Sequence, residues 1–410
     1  MKEQSYGQNY SRFVNTLIFT FPIVINSLQV VGDLVLFILA MMGIFIAISK
    51  KISPFSIKEI KVFSYLTFGY FTVVCLSVLF SGQPTALAHF IPRDFHFLFA
   101  PFIALALYKA KLNINYLIVG AKFALLVLGM IVSIQLLQGH LILHRPSGVM
   151  NAAVFGNLTV SLFFIVLIFS QNESIKHKVF TFLSLFLGFV AIIASGTRGA
   201  WLSFLLLFGV YSYLFYKQKN KLNIKLKIII VFVIVCVISF VSLNQYMKDR
   251  MNFAYTQTID WVSGDKSPSG VSLRLEMYTK SINNIKDVPF FGHGYRTSNI
   301  VLFQNDSSAM GRTLVGFNHL HNAYLTNYYN GGIVLLSALL LLLFVPLRLF
   351  IKANSQNREN PIFISGVLLT MGYASFGMVN ILLGDTYMNG FYTFFLAIFM
   401  LLHTKSIKAR

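Results

Sequence analysis

The chain of 410 residues is 56% hydrophobic and 11% charged, with a mean hydropathy of +0.70. It has more apolar surface than a soluble core hides, and its apolar runs approach the roughly 20 residues that cross a bilayer as a helix. These numbers exclude a soluble protein and predict an all-α, polytopic membrane protein. Both cysteines, Cys75 and Cys236, lie inside apolar runs, which indicates neither a disulfide framework nor a zinc site.

Windows of about 19 residues predict about twelve transmembrane helices. In chain order they cover residues 13–30, 31–48, 62–81, 94–108, 114–138, 152–170, 178–195, 199–217, 226–243, 331–352, 361–383 and 389–403. One long hydrophilic segment follows the ninth span. We therefore expect an N-terminal bundle of nine spans (1–243), a helical loop domain (244–330) and a C-terminal bundle of three spans (331–410).

The basic residues predict how these spans are oriented. With both termini inside, 21 lysines and arginines lie on inner segments and three lie in the short outer loops. Such an excess is typical of the cytoplasmic side of a membrane protein. It predicts cytoplasmic termini and a periplasmic loop domain. It also accounts for most of the net charge of +20, so nucleic-acid binding is not indicated.

The three basic residues of the short outer loops are all arginines: Arg93, Arg145 and Arg198. A guanidinium group is a planar fork that suits phosphate oxygens and stays charged when buried. Arginines that oppose the charge bias therefore indicate an anionic ligand at the outer leaflet. The alternative is an ion pair with a carboxylate, such as Asp94 beside Arg93, or a lipid headgroup. Arg198 lies in a short hairpin that contains no acid.

The long outer segment holds further candidates for anion binding. It contains four arginines: Arg250, Arg274, Arg296 and Arg312. Ser272 is expected to cap a helix that runs to about Lys286, with Arg274 in the first turn, where the helix dipole favours an anion. A glycine-bracketed turn with Gly292 and Gly294 follows. It suits either a close approach of the backbone to a ligand or an ordinary loop.

The stretch Asn318-His319-Leu320-His321-Asn322 places a proton acceptor beside these arginines. If the stretch is helical, two histidines that are two positions apart point in different directions, so only one of them faces the site. An unperturbed imidazole, with a pKa of about 6.5, would lose the role of base as the pH falls through that value. No Asp-x-Asp pair, His-Glu-x-x-His motif, P-loop or Gly-x-Ser-x-Gly elbow occurs, and neither a metal nor a cofactor is predicted.

An ordered set of motifs resembles the bacterial O-antigen ligase and polymerase superfamily. The set contains Thr197-Arg198-Gly199, Arg274 at the start of a helix, Pro289-x-x-Gly292-x-Gly294, and His321-Asn322-x-Tyr324-Leu325 before Gly331-Gly332. The resemblance covers about residues 145 to 390. It implies a type C glycosyltransferase of the inner membrane that works at the periplasmic face without a metal. Ligases of this family transfer O-antigen polysaccharide from undecaprenyl pyrophosphate to the lipid A-core oligosaccharide.

The resemblance also implies roles for residues of this sequence. Arg198 and Arg274 would bind the pyrophosphate, and His321 would activate the acceptor hydroxyl. Asp385 resembles a further acidic position. The predicted substrate-binding residues are Arg93, Arg145, Tyr278, His319, Asn322 and Asp385. Membrane lipids are the other expected partners.

Two alternatives remain at the level of sequence. An O-antigen polymerase shares the carrier and the superfamily, and Arg145 with Gly156 resembles an Arg-x10-Gly pattern of polymerases. A non-catalytic flippase for the same lipid-linked glycan is the other alternative. It is disfavoured because the ionisable groups lie at one face of the membrane rather than through its interior.

Overall fold

A computed structural model describes residues 2–80, 86–139, 145–170, 174–219, 245–356 and 360–408. Every regular element in these ranges is helical. The α-helices are α1 (Lys2–Ile25), α2 (Gln29–Ser49), α3 (Lys61–Phe80), α4 (Ala86–Lys109), α5 (Ile114–Leu137), α6 (Ala152–Phe169), α7 (Ile175–Ala194), α8 (Arg198–Lys219), α9 (Gln245–Val262), α10 (Ser272–Asn283), α11 (Ser298–Phe303), α12 (Ala309–Val315), α13 (Ala323–Gln356), α14 (Pro361–Gly377) and α15 (Thr386–Lys408).

The prediction of a polytopic helical membrane protein is confirmed. Within the described ranges, eight helices are long and apolar enough to span a bilayer, and α14 is a shorter apolar helix. Eleven of the twelve predicted spans coincide with described helices. The remaining one, residues 226–243, lies outside the described ranges, so the total of twelve stays a prediction. The periplasmic location of the loop domain stays a prediction as well.

Helices α1, α4 and α13 each begin at least eight residues before their predicted spans, and the extensions of α4 and α13 reach the functional region. The sequence predicts Arg93 in a loop, whereas α4 already contains it. The predicted span 331–352 begins eight residues late, because α13 starts at Ala323 and bends at Gly331 and Gly332. Both errors have the same cause. A hydropathy window stops at polar residues, although a helix continues through them when its polar side chains face a cavity instead of lipid.

The centre of the bundle is formed by α6 and α15. In each, 83% of the most apolar window is buried inside the protein, compared with 33% to 56% in the other candidate spans. Glycines let the surrounding helices approach closely, as is common between transmembrane helices. A Cβ atom at Gly43 of α2 would overlap the backbone of Phe102 in α4, and one at Gly120 of α5 would overlap that of Phe19 in α1. The outer helices pack on one another in this way and expose their remaining apolar faces.

The segment from α10 to the start of α13 forms a second, smaller apolar cluster. Its buried members are Met277, Leu302, Phe303, Met310, Leu314, Leu320 and Tyr329. Tyr329 belongs to α13, so the cluster packs on the first part of that helix. The Tyr329 hydroxyl donates to the carbonyl oxygen of Ser281 at 2.8 Å. The long hydrophilic segment is thus an ordered helical unit attached to the start of α13.

Candidate active site

A cavity of about 450 Å³ lies at one end of the helix bundle. Seven of the nine residues predicted for the site line it. They are Arg93, Arg145, Arg198, Arg274, His319, His321 and Asp385. These residues come from helices and turns between α4 and α15, so the fold rather than local sequence brings them together. Their individual chemical roles stay predictions.

Five helices begin at this cavity: α6, α8, α10, α13 and α15. The cavity is lined by residues at or near each of these helix starts, such as Asn151 before α6 and Asp385 before α15. The first amides of a helix have no partner within the helix and carry the positive end of its dipole. Five such ends around one cavity favour an anionic ligand.

The charged side chains reinforce this positive potential. Arg296 joins the four predicted arginines, so five guanidinium groups line the cavity. The acidic side chains there are Asp94 and Asp385, and no lysine is among the described lining residues. Burial raises the pKa of Asp385 above its usual range. The cavity therefore suits a ligand with more than one negative charge.

The hairpin with Arg198 is held in place by close packing on both sides. The Thr197 hydroxyl donates to the carbonyl oxygen of Ala152 at 2.9 Å, which ties the hairpin to the start of α6. A Cβ atom at Gly156 would lie only 3.0 Å from the Ser195 hydroxyl. On the other side, a Cβ atom at Gly199 would overlap the Val379 side chain. The glycines beside Arg198 thus let the hairpin sit between α6 and the α14–α15 connection.

Arg274 lies in the first turn of α10, as predicted. The predicted cap is wrong in detail, because the Ser272 hydroxyl bonds outside the helix and accepts from the Ser269 amide at 2.8 Å. The helix ends at Asn283, and a 3-10 turn over Ile285–Asp287 follows. Farther along α10, Glu276 accepts from the Trp261 indole at 3.1 Å and pairs with Lys266 at 3.0 Å. These contacts fix α10 against α9.

The two histidines both line the cavity, so the expectation that only one faces it is wrong. The reason is that the stretch is a turn rather than a helix, and His321 has a positive φ of 50°. The Asn299 amide donates to the carbonyl oxygen of His319 at 2.9 Å and holds the turn. The two imidazole rings meet edge to face, with their centroids 4.5 Å apart.

Both imidazoles are kept neutral by their surroundings. Burial, followed by His319 and Arg274, lowers the pKa of His321 to about 3. Burial, followed by Arg93 and Arg274, lowers the pKa of His319 to about 4. The Nδ1 atom of His321 has no hydrogen-bond partner among the described residues. His321 thus presents an uncharged ring with an unoccupied nitrogen at physiological pH.

Tyr278 and Asn322 lie beside the cavity rather than in its wall. The Tyr278 hydroxyl donates to the carbonyl oxygen of His321 at 2.9 Å, so α10 supports the histidine turn. The Asn322 side chain caps α13 by accepting from the amides of Tyr324 and Leu325 at 3.0 Å, and it donates to the carbonyl oxygen of Met378. Substrate binding by these two residues stays a prediction, and the structure adds a supporting role for each.

The glycine-bracketed turn approaches protein backbone. The His293 and Gly294 amides donate to the carbonyl oxygens of Tyr329 and Asn330 at 2.8 and 2.9 Å. At the bend of α13, Gly332 has a φ of +63°, and a Cβ atom there would overlap the carbonyl oxygen of Phe290. The motif with Gly292 and Gly294 and the Gly331-Gly332 pair therefore contact each other through their backbones. This contact lies at the bend of α13.

The sequence interpretation missed the asparagines of the site. Six line the cavity: Asn151, Asn157, Asn318, Asn327, Asn330 and Asn380. A signal was present for Asn157, because an amide inside an apolar span is costly unless it has a function or a partner. Among the described residues, no group of three or more histidine, cysteine or acidic side chains is arranged to hold a metal ion.

The family model described as O-antigen ligase matches residues 183–340. That range contains Arg198, Arg274 and His321, and the predicted family resemblance is confirmed. A protein of Haemophilus influenzae described as uncharacterized is 26% identical over 348 residues, which cover 79% of this chain and 81% of the relative.

Proposed function

We propose that this chain, whose residues 183–340 match the family model described as O-antigen ligase, is an O-antigen ligase of the bacterial inner membrane. It transfers polysaccharide from undecaprenyl pyrophosphate to the lipid A-core oligosaccharide. The reaction takes place at the periplasmic face and needs no metal. The observation that carries the proposal is the convergence of five arginines, five helix starts and two neutral histidines on one cavity.

Arg198 and Arg274 bind the pyrophosphate in this proposal. Cleavage of the sugar–phosphate bond places additional negative charge on the leaving pyrophosphate. Guanidinium groups fixed in a partly dehydrated cavity stabilise that charge more in the transition state than in the ground state. Both arginines lie in the first turn of a helix, so the positive end of each helix dipole adds to the charge of the guanidinium group.

His321 accepts the proton of the acceptor hydroxyl as the new glycosidic bond forms. Its neutral ring and unoccupied Nδ1 support this role. An imidazole with so low a pKa is a weak base in the free protein. Bound pyrophosphate favours the imidazolium form, because its negative charge opposes the effect of Arg274. The base therefore becomes stronger when the donor is present.

A polymerase that extends one lipid-linked chain with another is the second candidate. Arg145, which belongs to the polymerase-like pattern, lines the same cavity as Arg198. The other residue of the pattern, Gly156, has a packing role against the Arg198 hairpin. A polymerase would use the same donor chemistry and differ only in the acceptor.

Deletion of the gene tests the proposal and separates the two candidates. We expect the deletion strain to keep full-length glycan on the lipid carrier while its lipopolysaccharide ends at the core. A single repeat attached to an otherwise normal core would instead identify a polymerase. Unchanged lipopolysaccharide and an unchanged pool of carrier-linked glycan would contradict both.

A further inference from the structure

Two asparagines at the cavity wall carry amide oxygens that nothing in the described structure satisfies. Asn157 of α6 and Asn330 of α13 are 2% and 7% exposed, and both line the cavity. The Oδ1 atom of each is buried and has no hydrogen-bond partner among the described residues. Buried polar atoms are nearly always hydrogen-bonded in folded proteins, so each of these two acceptors requires an explanation.

Both residues are held in place by contacts around them. The carbonyl oxygen of Asn330 accepts from the Ser77 hydroxyl at 3.0 Å and from the Gly294 amide at 2.9 Å. Asn157 follows Gly156, whose close packing on Ser195 holds this part of α6 against the Arg198 hairpin. These contacts fix both backbones at the cavity wall. The two unsatisfied acceptors therefore belong to residues with fixed positions beside the cavity.

The ligand that satisfies these oxygens must donate hydrogen bonds. A pyrophosphate diester carries acceptors only at neutral pH, and a polyprenyl chain carries no polar hydrogen. A sugar supplies O–H groups, and an acetamido sugar also supplies an N–H group. Of the three parts of a lipid-linked glycan, only the sugar fits the two open acceptors.

We propose that Asn157 and Asn330 form a subsite for the carrier-proximal sugar of the donor. This inference rests on the proposed function, since it assumes a lipid-linked glycan in the cavity. The packing of α6 on the Arg198 hairpin places the subsite beside the pyrophosphate site. The two amides then select a glycosylated carrier over the bare carrier that remains after transfer, which helps the product to leave.

Binding of two probes to the full-length protein in lipid nanodiscs tests the subsite. The probes are undecaprenyl pyrophosphate and the same carrier with a single N-acetylhexosamine. We expect wild type to prefer the sugar-bearing carrier. Asn157→Leu and Asn330→Leu should each weaken its binding by about tenfold, the value of one lost hydrogen bond, and leave binding of the bare carrier unchanged.

Asn26→Leu is the matched control. The Asn26 amide oxygen is also buried and without a partner among the described residues, but it does not line the cavity. Its substitution should leave the affinity for both probes unchanged. If the leucine variants do not fold, Asn157→Ala and Asn330→Ala carry the same expectation, because they too remove the acceptor oxygen.

Two results would overturn the subsite. One is an unchanged preference for the sugar-bearing carrier in the Asn157 and Asn330 variants. The other is an equal loss of affinity for both probes with a lower unfolding temperature, which is the result of a purely structural role. Failure of the proposed function gives a different pattern, in which wild type binds neither probe. If the bare carrier binds through Arg198 but the asparagine variants keep the preference, only the subsite is wrong.

Discussion

The two ends of the helix bundle are both basic, but they carry their positive charge in different ways. At the cavity end, five arginines line one cavity at which five helices begin. At the opposite end, lysines are spread over the connections and helix ends. Lys50 and Lys58, for example, are exposed in the connection between α2 and α3. The net charge of +20 alone does not distinguish these two arrangements.

The difference shows which positive charges are expected to bind a ligand. An exposed ammonium group is well hydrated and screened by salt, so it contributes to topology and to contacts with lipid headgroups. A guanidinium in a partly dehydrated cavity interacts with an anion far more strongly, because the surrounding dielectric is lower. We therefore expect function to depend on the arginine end and to tolerate changes at the lysine end.

The largest effect is expected for His321→Ala. Loss of the base should reduce glycan transfer by about 10²–10⁴-fold, while the carrier still binds. Transfer is measured with purified protein, lipid-linked glycan and lipid A-core. His319→Ala should reduce the rate less, because His319 acts on the pKa of His321 and not on the acceptor. Comparable rates for His321→Ala and wild type would remove His321 from the mechanism, and an inactive His319→Ala with an active His321→Ala would move the base to His319.

Removal of either pyrophosphate-binding arginine is expected to come next. Arg198→Ala and Arg274→Ala should each lower transfer by about 10²–10³-fold, as for other lost oxyanion contacts. Arg→Lys should fall between these variants and wild type, since an ammonium keeps the charge but lacks the bidentate fork. Lys50→Ala and Lys58→Ala provide the comparison at the other end and should transfer at the wild-type rate. The contrast between the two ends fails if the lysine variants lose as much activity as the arginine variants.

The pH dependence should be small on the acidic side. The sequence alone places the acid limb near an unperturbed imidazole pKa, and the structure corrects this by lowering the pKa of His321 to about 3. Because the neutral ring is the active form, kcat/KM should stay nearly constant as the pH falls from 8 to about 5. The acid limb of kcat should lie at higher pH, since bound pyrophosphate raises the imidazole pKa. An acid limb of kcat/KM near 6.5 that disappears in His321→Ala would show that the ring is not shielded in the free protein.

The smallest expected effect is on stability. Gly332→Ala places a Cβ atom against the carbonyl oxygen of Phe290 at a φ of +63°, and it should destabilise the fold by about 1–3 kcal/mol. Gly209→Ala is the control, because a Cβ atom there meets nothing within 4 Å. Thermal unfolding in detergent measures both. Equal unfolding temperatures for Gly332→Ala and wild type would mean that the bend in α13 does not need its glycine.

Much of the fold was predictable, because apolar runs of the right length leave few alternatives in a bilayer. The starts of α4 and α13 were not, although those of α6 and α8 agree with the predicted spans to within one residue. The sequence predicts loops for Arg93 and the first turns of α13, since hydropathy does not show that a polar helical face lines a cavity. The orientation of the spans still rests on the lysine bias. Labelling of a cysteine at Ser307 in intact cells would support it, and labelling only after the inner membrane is permeabilised would reverse it.

The sequence predicted the charged residues of the cavity, but it did not predict the backbone conformation of the turn that carries the two histidines. Arginines in outer loops contradict the charge bias and therefore attract attention in the sequence. The positive φ of His321 is adopted by a non-glycine residue, so no composition signal marks the turn that brings both histidines to the cavity. Asn157 stood in an apolar span, and its signal was visible. Asn330 precedes the bend of α13 and becomes meaningful only once the cavity is known.

The most direct test of the central claim is binding of undecaprenyl pyrophosphate to purified protein in nanodiscs. Three proteins are compared: wild type, a double variant with Arg198→Ala and Arg274→Ala, and a double variant with Lys50→Ala and Lys58→Ala. We expect the arginine variant to lose at least about a hundredfold in affinity, since two charge-assisted contacts are removed, and the lysine variant to bind as wild type does. Equal affinity of the arginine variant and wild type would contradict the assignment of this cavity as the pyrophosphate site.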